Sequence, residues 1–269
     1  METTNDWKNY IEVNRKLWND KTPAHIESEF YDMKSFLSGK SSLNDIELNL
    51  LGDIQDKRIL HLQCHFGQDS LSLARMGAEV TGIDLSDEAI ATAKELAKEM
   101  DLNTTFIRSD VYATPDELNG QFDIVFTSYG TIGWLPDLNK WAEVIYRCLK
   151  PGGKLIFVEF HPMVWMFSND FSNIQYPYFN TEAIIETNEG TYADRNADIK
   201  NTEISWNHPL SEVLQALIAN NLQLSSFEEF NYSPYNCFLN TIEIEKGKYQ
   251  IKGLEGKIPM VYALEALKK

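Results

Sequence analysis

The chain has 269 residues, 43% of them hydrophobic, which is enough for one sizeable core. Its 24 Lys and Arg against 40 Asp and Glu leave a net charge of −16 with no basic patch, so a nucleic-acid partner is not expected. Three widely spaced cysteines, Cys64, Cys148 and Cys237, form no C-x-x-C, which argues against a disulfide framework or a zinc site and fits a reducing cytoplasm. The polar start, Met1 to Asp6, has no apolar run behind it, and no uncharged stretch is long enough for a bilayer; neither a signal peptide nor a membrane span is expected.

Residues 5–50 read as helical and aromatic-rich, with Trp7, Tyr10, Trp18, Phe30, Tyr31 and Phe36. A strand–helix alternation follows over 55–160. Strands are predicted at Arg58–Leu62, Glu79–Asp84, Thr105–Arg108, Phe122–Thr127 and Lys154–Glu159. Helices are predicted at Gln68–Met76, closed by Gly77, at Ala89–Met100 behind an N-cap at Ser86, and at Leu138–Cys148. Pro151-Gly152-Gly153 reads as a turn before the fifth strand. This spacing implies parallel βαβ units in a doubly wound α/β sheet. Residues 161–207 break the rhythm and read as an insertion with a hairpin (Ala183–Glu186 and Thr202–Trp206). A helix at Ser211–Asn220 and strands at Leu222–Phe227 and Met260–Glu265 complete 208–269. One domain is expected, with 1–54 as a helical lid and 161–207 as a cover over the substrate.

In such a sheet, ligands bind beyond the carboxyl ends of the strands. The first loop, His61-Leu-Gln63-Cys64-His65-Phe66-Gly67-Gln68-Asp69, has one glycine, where a pyrophosphate cradle wants G-x-G-x-x-G. A nicotinamide-dependent oxidoreductase is therefore the weaker reading. Asp84 ends the second strand, where an ionised carboxylate can accept from both hydroxyls of a ribose. Asp110 follows the third strand and can accept from an adenine amino group, with Leu85 and Val111 as apolar walls.

These pieces, taken in order as Ile59–Gly67, Gly82-Ile-Asp84, Ser109-Asp110, Phe122–Thr127 and Leu149-Lys-Pro-Gly-Gly153, resemble the motif series of class I S-adenosylmethionine-dependent methyltransferases. The longer phrases Trp134-Leu-Pro-Asp137 and Glu159-Phe-His-Pro162 resemble a bacterial subgroup of small-molecule enzymes. The resemblance implies a Rossmann-like, mostly parallel seven-stranded sheet with an antiparallel last strand. It implies S-adenosylmethionine as methyl donor and S-adenosylhomocysteine as product. Gly67 then matches the last glycine of the first motif, Asp84 the ribose acid, Asp110 the adenine acid, and Thr127 the strand end beside the methionine portion. His61 stands where an acid is usual, and Gln63 and His65 stand where glycines are usual; their side chains could serve the amino and carboxylate groups instead.

Methyl transfer from a sulfonium is an in-line displacement that chiefly needs alignment and exclusion of water, with a base only where the acceptor must lose a proton. His161, after the fifth strand, is a candidate base, and Tyr129, after the fourth, a candidate to position the acceptor. Trp18, His25 and Tyr31 are candidates to close over the cofactor, since aromatic faces attract a sulfonium. Thr127-Ser-Tyr-Gly130 replaces the Asn/Asp-Pro-Pro-Tyr of nucleic-acid or glutamine methylation, and Thr127 is no metal ligand. The expected partner is a small-molecule acceptor, the expected state a monomer or homodimer. A sensor that binds the cofactor without catalysis is the alternative.

Overall fold

A computed structural model describes residues 9–269. Trp7 lies outside the described residues. The elements in chain order are α1 (Tyr10–Glu27), α2 (Met33–Leu37), α3 (Asp45–Leu51), β1 (Arg58–Leu62), α4 (Gln68–Arg75), β2 (Glu79–Asp84), α5 (Asp87–Glu99), β3 (Thr105–Arg108), β4 (Phe122–Ser128), α6 (Leu138–Cys148) and β5 (Leu149–Phe160). They continue as β6 (Ile184–Glu189), β7 (Lys200–Ser205), α7 (Leu210–Ala219), β8 (Leu222–Phe230), β9 (Thr241–Glu245), β10 (Lys248–Ile251) and β11 (Val261–Lys268).

Seven strands form one sheet in the order β3-β2-β1-β4-β5-β11-β8. β1 to β5 are parallel, and β11 runs antiparallel to both β5 and β8. The strands are apolar on both faces because helices cover both. Alternation shares the residues out: Val125, Leu155 and Phe157 pack toward Trp141 and Ile145 of α6, whereas Ile124, Phe126 and Ile156 pack toward Leu51 of α3 and Leu73 of α4. The polarity of the order reverses between β1 and β4, which opens a crevice beyond their carboxyl ends.

The expected strand at Lys154–Glu159 is longer. β5 starts at Leu149, and the Pro151-Gly152-Gly153 bend is absorbed as a register shift against β4 between Phe122 and Ile124. The expected hairpin in 161–207 is β6 paired with β7. The β9–β10 hairpin stands beyond the expected elements. The first helices and the insertion hold each other: the Asn14 side chain of α1 donates to Ile204 O (2.7 Å) and accepts from Ile204 N (3.0 Å) of β7. Together they roof the crevice. No described helix is long and apolar enough to cross a membrane.

Candidate active site

The loop after β1 turns sharply under the roof. Gln63, His65 and Gly67 all take left-handed backbone conformations, with φ of 55°, 50° and 84°. Glycine is required at 67, since a Cβ there would sit 2.8 Å from the Phe106 ring. Side-chain-bearing residues in this region cost about 1–2 kcal/mol each. Gln63 and His65 are held there by specific bonds: the His65 N–H donates to Asp84 Oδ2 (2.8 Å), and Gln63 Nε2 donates to Thr131 O (2.8 Å). Gln63 Oε1 is buried and has no partner.

Asp84 ends β2 as expected. Its other oxygen accepts from Ser86 N (2.8 Å), while Ser86 itself caps α5 by accepting from Ala89 N (3.0 Å). Burial outweighs these bonds and pushes the Asp84 carboxyl up to about 6. Asp110 follows β3, accepts from Tyr112 N (3.2 Å), and is likewise raised by burial. Leu85 and Val111 stand beside them on the same cavity wall.

Above the loop lies an aromatic cluster. The Trp18 ring meets His65 edge-on at 5.2 Å and Trp134 at 5.4 Å. Tyr31 packs on Phe66 at 4.8 Å and shares a hydrogen bond with Tyr192 of the insertion. His25 Nδ1 lies 2.9 Å from His65 Nε2, and burial pushes the two imidazoles down to about 2 and about 3, so they pair as neutral rings. Trp18 and Tyr31 line the cavity; His25 is wholly buried behind them.

The opposite wall follows β4 and β5. Tyr129 has φ of 45°, and its hydroxyl donates to Glu47 Oε2 (2.8 Å). Glu47 is fully buried in α3, where its other oxygen accepts from Asn44 N (2.6 Å) in a capping box, and burial with the nearby Asp69 pushes it up to about 7. Glu159 is a buried carboxylate that gathers the loop after β4. It accepts from the backbone N–H groups of Gly130, Thr131 (2.7 Å), Ile132 (3.2 Å) and Phe160 (2.7 Å) and from Thr131 Oγ1 (2.9 Å). Neither Glu47 nor Glu159 was singled out as a site residue from the sequence. Asn44-x-x-Glu47 was a legible capping pattern, and Glu159 a charged residue in an apolar strand.

Two expected residues are placed elsewhere. His161 turns away from the cavity toward β8, with Nε2 3.0 Å from Glu229 Oε1 and Nδ1 accepting from Met163 N (3.1 Å). It anchors the start of the insertion because β5 ends at Phe160 and the chain there reverses direction. Thr127 is fully buried one residue short of the end of β4; Ser128 lines the cavity instead and donates to Asp69 (3.2 Å). Gln63, His65, Gly67, Asp84, Leu85, Asp110, Val111, Tyr129, Trp18 and Tyr31 converge on one cavity of about 1110 Å³. That volume exceeds most single-ligand pockets, about 300–1,000 Å³, and so has room for a cofactor and an acceptor together.

Residues 59–153 match the family model of a methyltransferase domain. Over 136 residues the chain is 32% identical to the ubiquinone biosynthesis O-methyltransferase of Shewanella pealeana, covering 49% of this chain and 57% of that protein. A Pseudomonas fluorescens protein of the same name is 29% identical over 144 residues, 53% of this chain and 60% of that one. The chain thus spans somewhat over half the length of the curated relatives it matches. Among solved structures, geranyl diphosphate C-methyltransferase from Streptomyces coelicolor superposes with a TM-score of 0.61 at 17% identity, over 97% of this chain and 98% of that one. An S-adenosylmethionine-dependent methyltransferase from Listeria monocytogenes superposes at 0.56 and 19% identity, over 83% and 98%. Sheet order, the left-handed first loop and an acid at the end of β2 define a Rossmann-like methyltransferase core. Residues 59–153 thus carry the match to a methyltransferase domain, on a fold shared with S-adenosylmethionine-dependent methyltransferases.

Proposed function

We propose that the protein binds S-adenosylmethionine in this cavity and transfers its methyl group to a small molecule. The observation that carries the reading is the wall formed by Asp84, the 63–67 loop and Asp110, set in a cavity with room left beside it. The bound sulfonium would supply an activated methyl group. The residues present fit it: Gly67 lets the loop turn tightly against Phe106, and Gln63 Oε1 is a buried acceptor that lacks a donor. A ligand α-ammonium satisfies that oxygen, which is costly to leave unpaired.

The residues then divide the work. Asp84 accepts from ribose hydroxyls, and Asp110 from the adenine amino group, between the apolar walls of Leu85 and Val111. Trp18 and Tyr31 present aromatic faces where a cation is favoured. The helices of residues 9–54 and the 161–207 insertion exclude water, which the Tyr31–Tyr192 bond between them supports. Tyr129 sits on the far wall near Phe160, Trp165 and Phe238 and holds the acceptor in line. Glu159 positions the backbone of the Tyr129–Ile132 loop. That aromatic wall suits a small apolar or aromatic acceptor.

The test is a calorimetric titration with S-adenosylmethionine, S-adenosylhomocysteine and NADH, on the wild type and Asp84→Ala. Micromolar binding of the two sulfur ligands, weakened in the variant and without an NADH signal, is expected. No binding of either sulfur ligand defeats the proposal.

A further inference from the structure

Three lysine or arginine side chains line the cavity among the described residues: Lys21, Lys40 and Arg195. Two are engaged elsewhere. Lys40 is an exposed surface residue paired with Asp32 at 3.2 Å. Arg195 donates to the carbonyl of Phe238 at 2.9 Å.

Lys21 differs. It lies on the face of α1 that also carries Asn14, Trp18 and His25, and it is only 8% exposed. Its ammonium sits 5.2 Å from the centre of the Trp18 ring and 5.9 Å from that of Trp134. Its carboxylate partner among the described residues is Glu203 of β7, at 3.5 Å. A direct ammonium–carboxylate bond is about 2.8 Å, and a lysine has three donors to satisfy. A buried ammonium with one long contact is under-satisfied, and such a group is costly unless a further acceptor completes it. The Trp18 ring beneath it packs on His65 of the left-handed loop. Neutral His25 and His65 add no charge of their own, so Lys21 is the cation of this part of the wall.

We propose that Lys21 reads the carboxylate of the amino-acid portion of the bound cofactor, so that the lid helix selects the complete cofactor over its nucleoside remnant. This rests on the binding reading above and assigns a positioning residue within it. Glu203 is the counter-ion that the ligand carboxylate displaces or joins. The polarity agrees with the loop below, where Gln63 Oε1 waits for a donor of the kind an α-ammonium supplies.

The experiment compares S-adenosylhomocysteine with 5′-methylthioadenosine, which keeps the nucleoside thioether and lacks the amino acid. Both are titrated calorimetrically into the wild type, Lys21→Met, Lys21→Arg and Glu203→Gln. The wild type should prefer S-adenosylhomocysteine by tenfold or more. Lys21→Met should lose most of that preference while 5′-methylthioadenosine binds within twofold of wild type, and Lys21→Arg should restore it. Glu203→Gln should raise the preference, and this variant keeps the test open if Lys21→Met does not fold. Equal weakening of both ligands by Lys21→Met, no weakening of either, or no change of preference in Glu203→Gln overturns the assignment. If neither ligand binds the wild type, the cofactor reading itself fails and takes this assignment with it. If both bind the wild type equally, only the assignment fails.

Discussion

If the Asp84 carboxyl accepts from the cofactor ribose as proposed, cofactor affinity depends on pH in a calculable way. Burial raises it from 3.8 to about 6 in the free protein. Ribose hydroxyls would donate to the ionised form, so ligand binding would favour loss of the proton. If only the ionised form binds, the apparent Kd is multiplied by about 1 + 10^(6 − pH), which is about 11 at pH 5 and about 1.1 at pH 7. Affinity for S-adenosylhomocysteine should therefore fall about tenfold from pH 7 to pH 5, or about 1.4 kcal/mol. Folding responds with the opposite sign. A raised carboxyl contributes stability that is fully present below pH 3.8 and lost as pH rises through 6, at most about 3 kcal/mol for 2.2 units of pKa. The assay is calorimetric titration at half-unit steps from pH 5 to 8, repeated on Asp84→Asn. His25 and His65 lie at about 2 and about 3 and stay neutral throughout this window. Asp110 is raised too and would leave a smaller slope in the variant. A flat wild-type profile, or an Asp84→Asn profile superimposable on it, would refute the reasoning.

Three further outcomes are expected. Gly67→Ala forces a Cβ to 2.8 Å from Phe106 at φ of 84°; conformational and steric costs together give about 2–4 kcal/mol, measurable by urea denaturation, and a loss under about 1 kcal/mol would contradict the packing account. Glu47, raised from 4.5 to about 7, contributes stability present below pH 4.5 and lost as pH rises through 7; Glu47→Gln keeps the capping box and should remove that loss, so its stability curve between pH 5 and 8 is flatter than wild type. Glu159→Gln turns an amide toward the N–H donors of the 130–132 backbone, should cost about 2–4 kcal/mol in denaturation through unsatisfied donors, and should weaken S-adenosylhomocysteine because Thr131 O holds Gln63.

The core was legible because its signals are local. β1, β2, β3 and α6 fall at their predicted bounds, each a short apolar run or amphipathic stretch closed by a turn or cap nearby. The placement of Asp84 and Asp110 on the cavity wall was legible because the end of a strand fixes what a side chain faces. The longer β5 was not, since its bulge exists only against β4. Nor was β9–β10, a short hairpin whose first strand carries the exposed charges Glu243 and Glu245. Tyr129 with Glu47, and Lys21 with Glu203, are 82 and 182 positions apart; no spacing rule joins them, and burial creates the pairs. His161 read as a candidate base from its place after β5, but the direction of the chain beyond Phe160 decides where its ring points.

The first loop shows what the family-atypical residues Gln63 and His65 do. Glycine takes φ near 50° at little cost, and a residue with a side chain does not. The backbone conformation is nonetheless kept at both positions. It is kept because each residue is tied to another strand end: His65 N–H to Asp84 after β2, and the Gln63 amide to Thr131 after β4. Three strand ends are thus linked through one strained turn. Glycines would supply the turn but not the Gln63 link to the β4 loop, nor the imidazole against which Trp18 and His25 pack. The strain is offset by a wall that carries its own polar groups and packs against α1.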